Sequence, residues 1–144
     1  MFESILVVCT GNICRSPIGE RYLQKLLPNK RIESAGTSAL VDHEADYSAI
    51  KVAAEHGISL ADHKGRQYTS SLGRQYDLIL VMEKYHLEKI GQISPEARGK
   101  TMLFGHWLNQ RDIPDPYRKS DEAFKSVFQL IEEAGQLWVR KLDV

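Results

Sequence analysis

The stretch Val7-Val8-Cys9-Thr10-Gly11-Asn12-Ile13-Cys14-Arg15-Ser16-Pro17 places a thiol and a guanidinium six positions apart, between an apolar run and a helix start. A short loop leaving a strand and entering a helix is an anion trap. Its successive backbone N–H groups can turn inward, and the helix N-terminus adds partial positive charge. Gly11 is expected to supply the backbone freedom for a tight curl. Arg15 can close the ring with a planar fork that matches two oxygens of a tetrahedral anion, where a lysine offers only a point charge. In that field the Cys9 thiol is expected to ionise below its free value and act as a nucleophile. A lone cysteine ending a buried strand is more often just a small apolar residue. The catalytic reading of Cys9 therefore rests on the coincidence of strand, Cys, five residues, Arg and helix start.

The loop needs elements to hold it. Ile5-Leu6-Val7-Val8 and Asp77-Leu78-Ile79-Leu80-Val81-Met82 are continuous apolar runs, the pattern of strands covered on both faces of a parallel sheet. Arg31 to Ala35 and Lys100 to Phe104 are weaker strand candidates, each followed by a glycine, Gly36 and Gly105, where turns are expected. Ser16-Pro17 reads as a capping residue and first helical position, opening a helix that Pro28 stops after Leu27. Asp46 to His56, with Gly57 as C-terminal cap, and Glu83 to Ile90 read as further helices. The last helix starts at Ser120-Asp121-Glu122. It carries Phe124, Val127, Phe128, Ile131, Ala134, Trp138 and Leu142 at three- and four-residue spacing. Strands alternating with helices predict an α/β fold. The expectation is one domain over residues 1–144, with a four-stranded parallel sheet, helices on both faces and the phosphate-binding loop after the first strand.

Composition narrows the function. The chain has 144 residues, 42% hydrophobic and 26% charged, enough for one well-buried domain and not two. Nineteen Lys and Arg balance nineteen Asp and Glu, eight against eight through Leu72 and eleven against eleven beyond it. A surface with no excess of positive charge argues against nucleic acid or an anionic membrane as the main partner. The two cysteines, Cys9 and Cys14, build neither a disulfide framework nor a thiolate zinc module. His43, His56, His63, His86 and His106 lack metal-ligand spacing, so no metal and no cofactor are expected. The four-residue apolar run near the N-terminus is too short for a signal segment or membrane span, which gives a cytoplasmic, non-inserted expectation. Neither a Walker string nor G-x-G-x-x-G is present.

The segment Cys9 to Pro17 resembles the signature of the low-molecular-weight protein tyrosine phosphatases. The likeness continues through Glu33-Ser34-Ala35-Gly36-Thr37, Gly57-Ile58, His63, Arg66-Gln67, Asp77 to Met82 and Asp115-Pro116-Tyr117, in family order. It is nearest to the bacterial branch linked to exopolysaccharide or capsule export, whose partners are membrane tyrosine autokinases. The resemblance implies that Cys9 attacks phosphorus to form a phosphocysteine. It implies that Arg15 and the N–H groups of Thr10, Gly11, Asn12, Ile13, Cys14 and Arg15 hold the phosphoryl oxygens. Asp115 then protonates the departing phenolate and later activates water.

On residue type alone, Asp115 between Pro114 and Pro116 reads as a turn former, though a proline-stiffened loop is also a sound mount for a general acid. The resemblance makes Asn12, Ser16, Ser34 and His63 the supporting network, and Ile13, Leu40 and Tyr117 the substrate pocket. Leu40 stands where many eukaryotic relatives carry a bulky aromatic, so their substrate preferences do not transfer. Tyr117 alone reads equally as a partly exposed loop residue, and Cys14 either pairs reversibly with Cys9 under oxidation or packs behind the loop. Rival readings are a thiol-dependent arsenate reductase, for which no cysteine follows Cys14, a non-hydrolytic phosphoryl carrier, and a pure interaction domain. A phosphotyrosine protein is the expected partner, and a monomer the expected state.

Overall fold

Ile5, Leu6, Val7 and Val8 are fully buried, on alternate faces of the central strand of a four-stranded sheet. The computed structural model describes residues 2–143; Met1 and Val144, the ends of the expected 1–144 domain, lie outside the described residues. Its strands are β1 (Ser4–Cys9), β2 (Arg31–Gly36), β3 (Leu78–Val81) and β4 (Thr101–Leu103), all parallel, in the order β2-β1-β3-β4. The helices are α1 (Arg15–Leu26), α2 (Tyr47–Glu55), α3 (Ser70–Gly73), α4 (Lys84–Ile93) and α5 (Asp121–Leu142), with a 3-10 segment at Pro95–Lys100.

Strand alternation sorts the core into two layers. Ile5, Val7, Leu78, Leu80 and Met82 face α1, α2 and α5, while Leu6, Val8, Ile79 and Val81 face Tyr68, Leu72, Tyr76, Ile90 and Ala97. Helices therefore cover both faces, as the continuous apolar strands require. Gly19 lets α1 lie close on the sheet, since a Cβ there would stand 3.1–3.2 Å from Phe104, Met82 and Val7. All seven apolar positions read from the spacing of α5 are buried, and Ser120 caps it by accepting from the Ala123 N–H at 3.3 Å. Gly57 (φ +75°) closes α2, with the N–H groups of Gly57 and Ile58 bonded to the carbonyls of Ala54 and Ala53.

Three local expectations change. Ser16 does not cap α1: the cap position falls on Cys14, with no side-chain bond, and Ser16 and Pro17 are the second and third helical residues. Pro17 costs nothing there because first-turn N–H groups have no helical partner. Gly36 is no turn; it ends β2 opposite Cys9, and a Cβ on it would stand 2.3 Å from the Thr10 carbonyl oxygen. Gly11 does not supply the left-handed curl. Asn12 does, at φ 59°, and Gly57 is the one glycine with positive φ among the described residues.

In this strand order the chain leaves β1 toward β2, crosses back, and continues outward from β3 to β4. The carboxyl ends of β1 and β3 therefore form the switch point where open α/β sheets bind ligands. Both the loop after Cys9 and the chain after Val81 emerge there.

Candidate active site

A cavity of about 210 Å³ opens at that point. Its wall is built from the loop by Cys9, Thr10, Gly11, Ile13, Cys14 and Arg15, and across the mouth by Leu40, Asp115 and Tyr117. Residues up to 108 positions apart in sequence thus line one cavity. Asn12 is the exception. It is completely buried, and its side chain lies behind the loop rather than in the cavity.

Behind the loop the hydrogen bonds run in one direction. Asn12 Oδ1 accepts from the Arg66 backbone N–H at 2.9 Å, which turns Nδ2 toward Ser34 Oγ at 3.0 Å and Ser16 Oγ at 2.7 Å. Ser34 hands its own proton to Glu20 Oε1 at 2.5 Å. Ser16 Oγ, which accepts from Asn12, lies 2.9 Å from Cys9 Sγ, where its hydroxyl can donate once the sulfur is a thiolate. The helix-capping role read for Ser16 is absent, while its hydroxyl meets the thiol, the contact that the resemblance implies for it. His63 completes the set, its Nε2–H donating to the Asn12 carbonyl at 2.5 Å. Burial pushes His63 below the ordinary imidazole value, with the Asn12 bond partly opposing, so it stands neutral behind the loop. This network holds a non-glycine residue at positive φ, a strain that persists only where surroundings over-determine it.

Arg15 is 1% exposed. Its Nη1 donates both to Glu83 Oε2 at 2.7 Å and to the Ile113 carbonyl at 2.8 Å. Its Nη2 lies 3.8 Å from Asp115 Oδ2. One corner of the guanidinium is therefore fixed by protein, and the rest is presented to the cavity side. The Ile113 N–H bonds to the Met82 carbonyl at 2.8 Å, so the end of β3 also fixes the loop that carries Asp115. Asp115 is half exposed, its Oδ1 accepting from the Tyr117 N–H at 3.0 Å. Leu40 and Tyr117 are 42% and 37% exposed, apolar surface at the mouth that a buried ring would cover. The thiol of Cys14 is buried, and desolvation with the nearby Asp46 carboxylate pushes it well above its ordinary value. Both cysteines are free.

Sequence reasoning missed Glu20, Glu83 and His86. Glu83 had been read only as the start of a helix, and it does cap α4. The spacing Glu83-x-x-His86 is a variant of the capping-box pattern and was the one signal available.

A thiol, a guanidinium and a carboxylate around one small cavity can carry out phosphoryl or other oxyanion transfer. The comparisons narrow that class. A profile of the low molecular weight phosphotyrosine protein phosphatases matches residues 4–144. The low molecular weight protein-tyrosine-phosphatase Etp of Escherichia coli K12 is 58% identical over 142 residues, 99% of this chain and 96% of Etp. Two solved structures superpose with a TM-score of 0.97. The tyrosine phosphatase Wzb of Escherichia coli K30 in complex with sulphate is 67% identical, with 99% of each chain covered. Vibrio vulnificus Wzb in complex with benzylphosphonate is 60% identical, with 99% of this chain and all of that one covered. Among the described residues no helix is long and apolar enough to cross a membrane. The chain belongs to the low molecular weight phosphotyrosine protein phosphatase family and is a protein-tyrosine phosphatase.

Proposed function

We propose that the chain hydrolyses phosphotyrosine through a phosphocysteine on Cys9, and that its substrate is the tyrosine-rich segment of a membrane tyrosine autokinase of exopolysaccharide or capsule export. The observation that carries the chemistry is the placing of Cys9 Sγ, Arg15 and Asp115 around one cavity, with Ser16 Oγ hydrogen-bonded to the sulfur at 2.9 Å. Cys9 Sγ attacks phosphorus, and the bond from phosphorus to the tyrosine oxygen breaks. Asp115 gives its proton to that oxygen. The Arg15 guanidinium and the N–H groups of Thr10 to Arg15 stabilise the equatorial oxygens. Water then attacks the phosphocysteine and loses a proton to Asp115; inorganic phosphate leaves, and the sulfur departs as a thiolate steadied by the Ser16 hydroxyl.

The two Wzb complexes support the reading, since one holds a tetrahedral oxyanion like the phosphoryl group and the other a benzylphosphonate, which joins an aromatic ring to such a group as phosphotyrosine does. Kinship with Wzb and Etp, both protein-tyrosine-phosphatases by name, supports the phosphotyrosine substrate. The autokinase partner, a cytoplasmic setting and a monomeric enzyme are part of the proposal and rest on the resemblance to the capsule-associated branch. The test is phosphate release from matched phosphotyrosine and phosphoserine peptides, and from a phosphorylated autokinase tail, with reductant and without added metal. Release from phosphotyrosine alone, lost in Cys9→Ser, is expected. Release surviving Cys9→Ser overturns the nucleophile, and no release from either peptide points to an oxyanion reductase or a carrier.

A further inference from the structure

His86 lies at the third position of α4 and is completely buried, yet it touches the cavity's machinery at two points. Its Nδ1 accepts from the Glu83 backbone N–H at 3.0 Å. A backbone N–H can only donate, so the ring proton sits on Nε2, which therefore donates to Thr10 Oγ1 at 2.8 Å. Thr10 is the first residue of the loop after Cys9, and Glu83 is the residue whose carboxylate anchors Arg15 Nη1 at 2.7 Å. One imidazole thus spans both ends of the Cys9 to Arg15 loop, directly at Thr10 and through the cap of α4 at Arg15. Burial, and then the charge of Arg15, hold His86 down to about 4, so it stays neutral with one donor and one acceptor, as the two bonds require.

We propose that His86 is a positioning residue of the phosphatase site. It ties the Thr10 end of the loop to the residue that aims Arg15, so that loop N–H groups and guanidinium converge on one phosphoryl group. This rests on reading the Cys9 to Arg15 loop as the phosphoryl site. A buried histidine that only fills space would be replaced equally well by any ring of its size. A histidine that positions is needed for both of its polar edges.

The substitutions His86→Phe, His86→Gln and Thr10→Val separate these cases, with kcat, KM, inhibition by inorganic phosphate and Tm measured for each. His86→Phe keeps a ring and loses both bonds. His86→Gln keeps an acceptor for the helix cap and gives up the rigid reach to Thr10. Expected is a Gln variant with Tm near the parent, kcat/KM about tenfold lower and phosphate inhibition weakened by a similar factor. Thr10→Val should lose about as much. The double variant Thr10→Val with His86→Gln should be no worse than either single change, because both break one link.

Parent values of kcat/KM and phosphate inhibition in folded His86→Gln and Thr10→Val, or fully additive losses in the double variant, would overturn the proposal. If His86→Phe does not fold, those two variants decide the matter. A parent that phosphate does not inhibit, or a Cys9→Ser protein that keeps its activity, defeats the site reading and the role of His86 with it. Phosphate inhibition in the parent, with an inactive Cys9→Ser and unchanged Gln and Val variants, defeats only the role of His86.

Discussion

At Arg15 two demands meet on one guanidinium: Nη1 is held by Glu83 and the Ile113 carbonyl, while the remaining donors must serve the ligand. A lysine has no second edge to divide in this way. Arg15→Lys should therefore lower kcat on a phosphotyrosine peptide by about a hundredfold or more while the protein stays folded, since the charge remains and only the fork is lost. Parent-level kcat in that variant would show that the fork is not used. Asp115 makes a different prediction. Asp115→Asn should cost about 10²- to 10⁴-fold on phosphotyrosine and much less on 4-nitrophenyl phosphate, whose leaving group needs no proton; equal losses on both would remove Asp115 from the acid role. The buried, protonated Cys14 should resist iodoacetamide at neutral pH while Cys9 is alkylated, as read by mass spectrometry of the native protein. Residue types and spacing singled out Cys9 and Arg15; Leu40, Asp115 and Tyr117 were implied only by the family resemblance, and the structure lines one cavity with all five. Residue types and spacing hid Glu20, Glu83 and His86, because these act on the loop from other elements, with His86 reaching across 76 positions to Thr10.

The elements that position the loop are held by close approaches. Gly36 ends β2 against the Thr10 carbonyl, with no room for a Cβ at 2.3 Å. Gly36→Ala should push the loop outward and cost both stability and activity, visible as a lower urea midpoint together with a raised KM for phosphotyrosine. A parent-like KM would show that the loop does not lean on β2. Gly57→Ala tests a purely structural point, the left-handed end of α2. It should lower stability by roughly 1 kcal/mol without changing kcat/KM. The strands, α1, α2, α4 and α5 were legible because periodicity, caps and prolines act within a few residues. α3 and the segment Pro95–Lys100 were not. Their turns are too short to be stable alone, and tertiary bonds complete them, among them Lys100 Nζ to the Gly73 and Tyr76 carbonyls at 2.8 and 2.6 Å. Ser16 reads as a cap for a different reason: its partners Asn12 and Cys9 are only four and seven positions away, but they meet it only once the loop has curled.

Across the whole molecule the buried histidines link the site to stability. His86 titrates near 4 in the folded protein against 6.5 when free, and His63 is also lowered. The unfolded chain therefore takes up protons first as pH falls. Stability should be full above about pH 6.5 and decline down to about pH 4, by roughly 3 kcal/mol from His86 alone. Urea unfolding between pH 7 and 4 should show that slope, reduced in His86→Gln; an equal slope in the variant would mean that His86 takes up its proton as readily in the folded protein as in the unfolded chain. The formal charges balance, and among the described residues no helix is long and apolar enough to cross a membrane. On the proposed mechanism this structure serves one covalent step, on the Cys9 sulfur. Rapid mixing of enzyme with excess 4-nitrophenyl phosphate, followed by acid quench and mass spectrometry of the peptide bearing Cys9, tests it most directly. The account predicts a nitrophenolate burst equal to the enzyme present and phosphate bound to Cys9 Sγ, both absent in Cys9→Ser. Turnover by the parent without a burst, with phosphate on no residue or on another one, would contradict it.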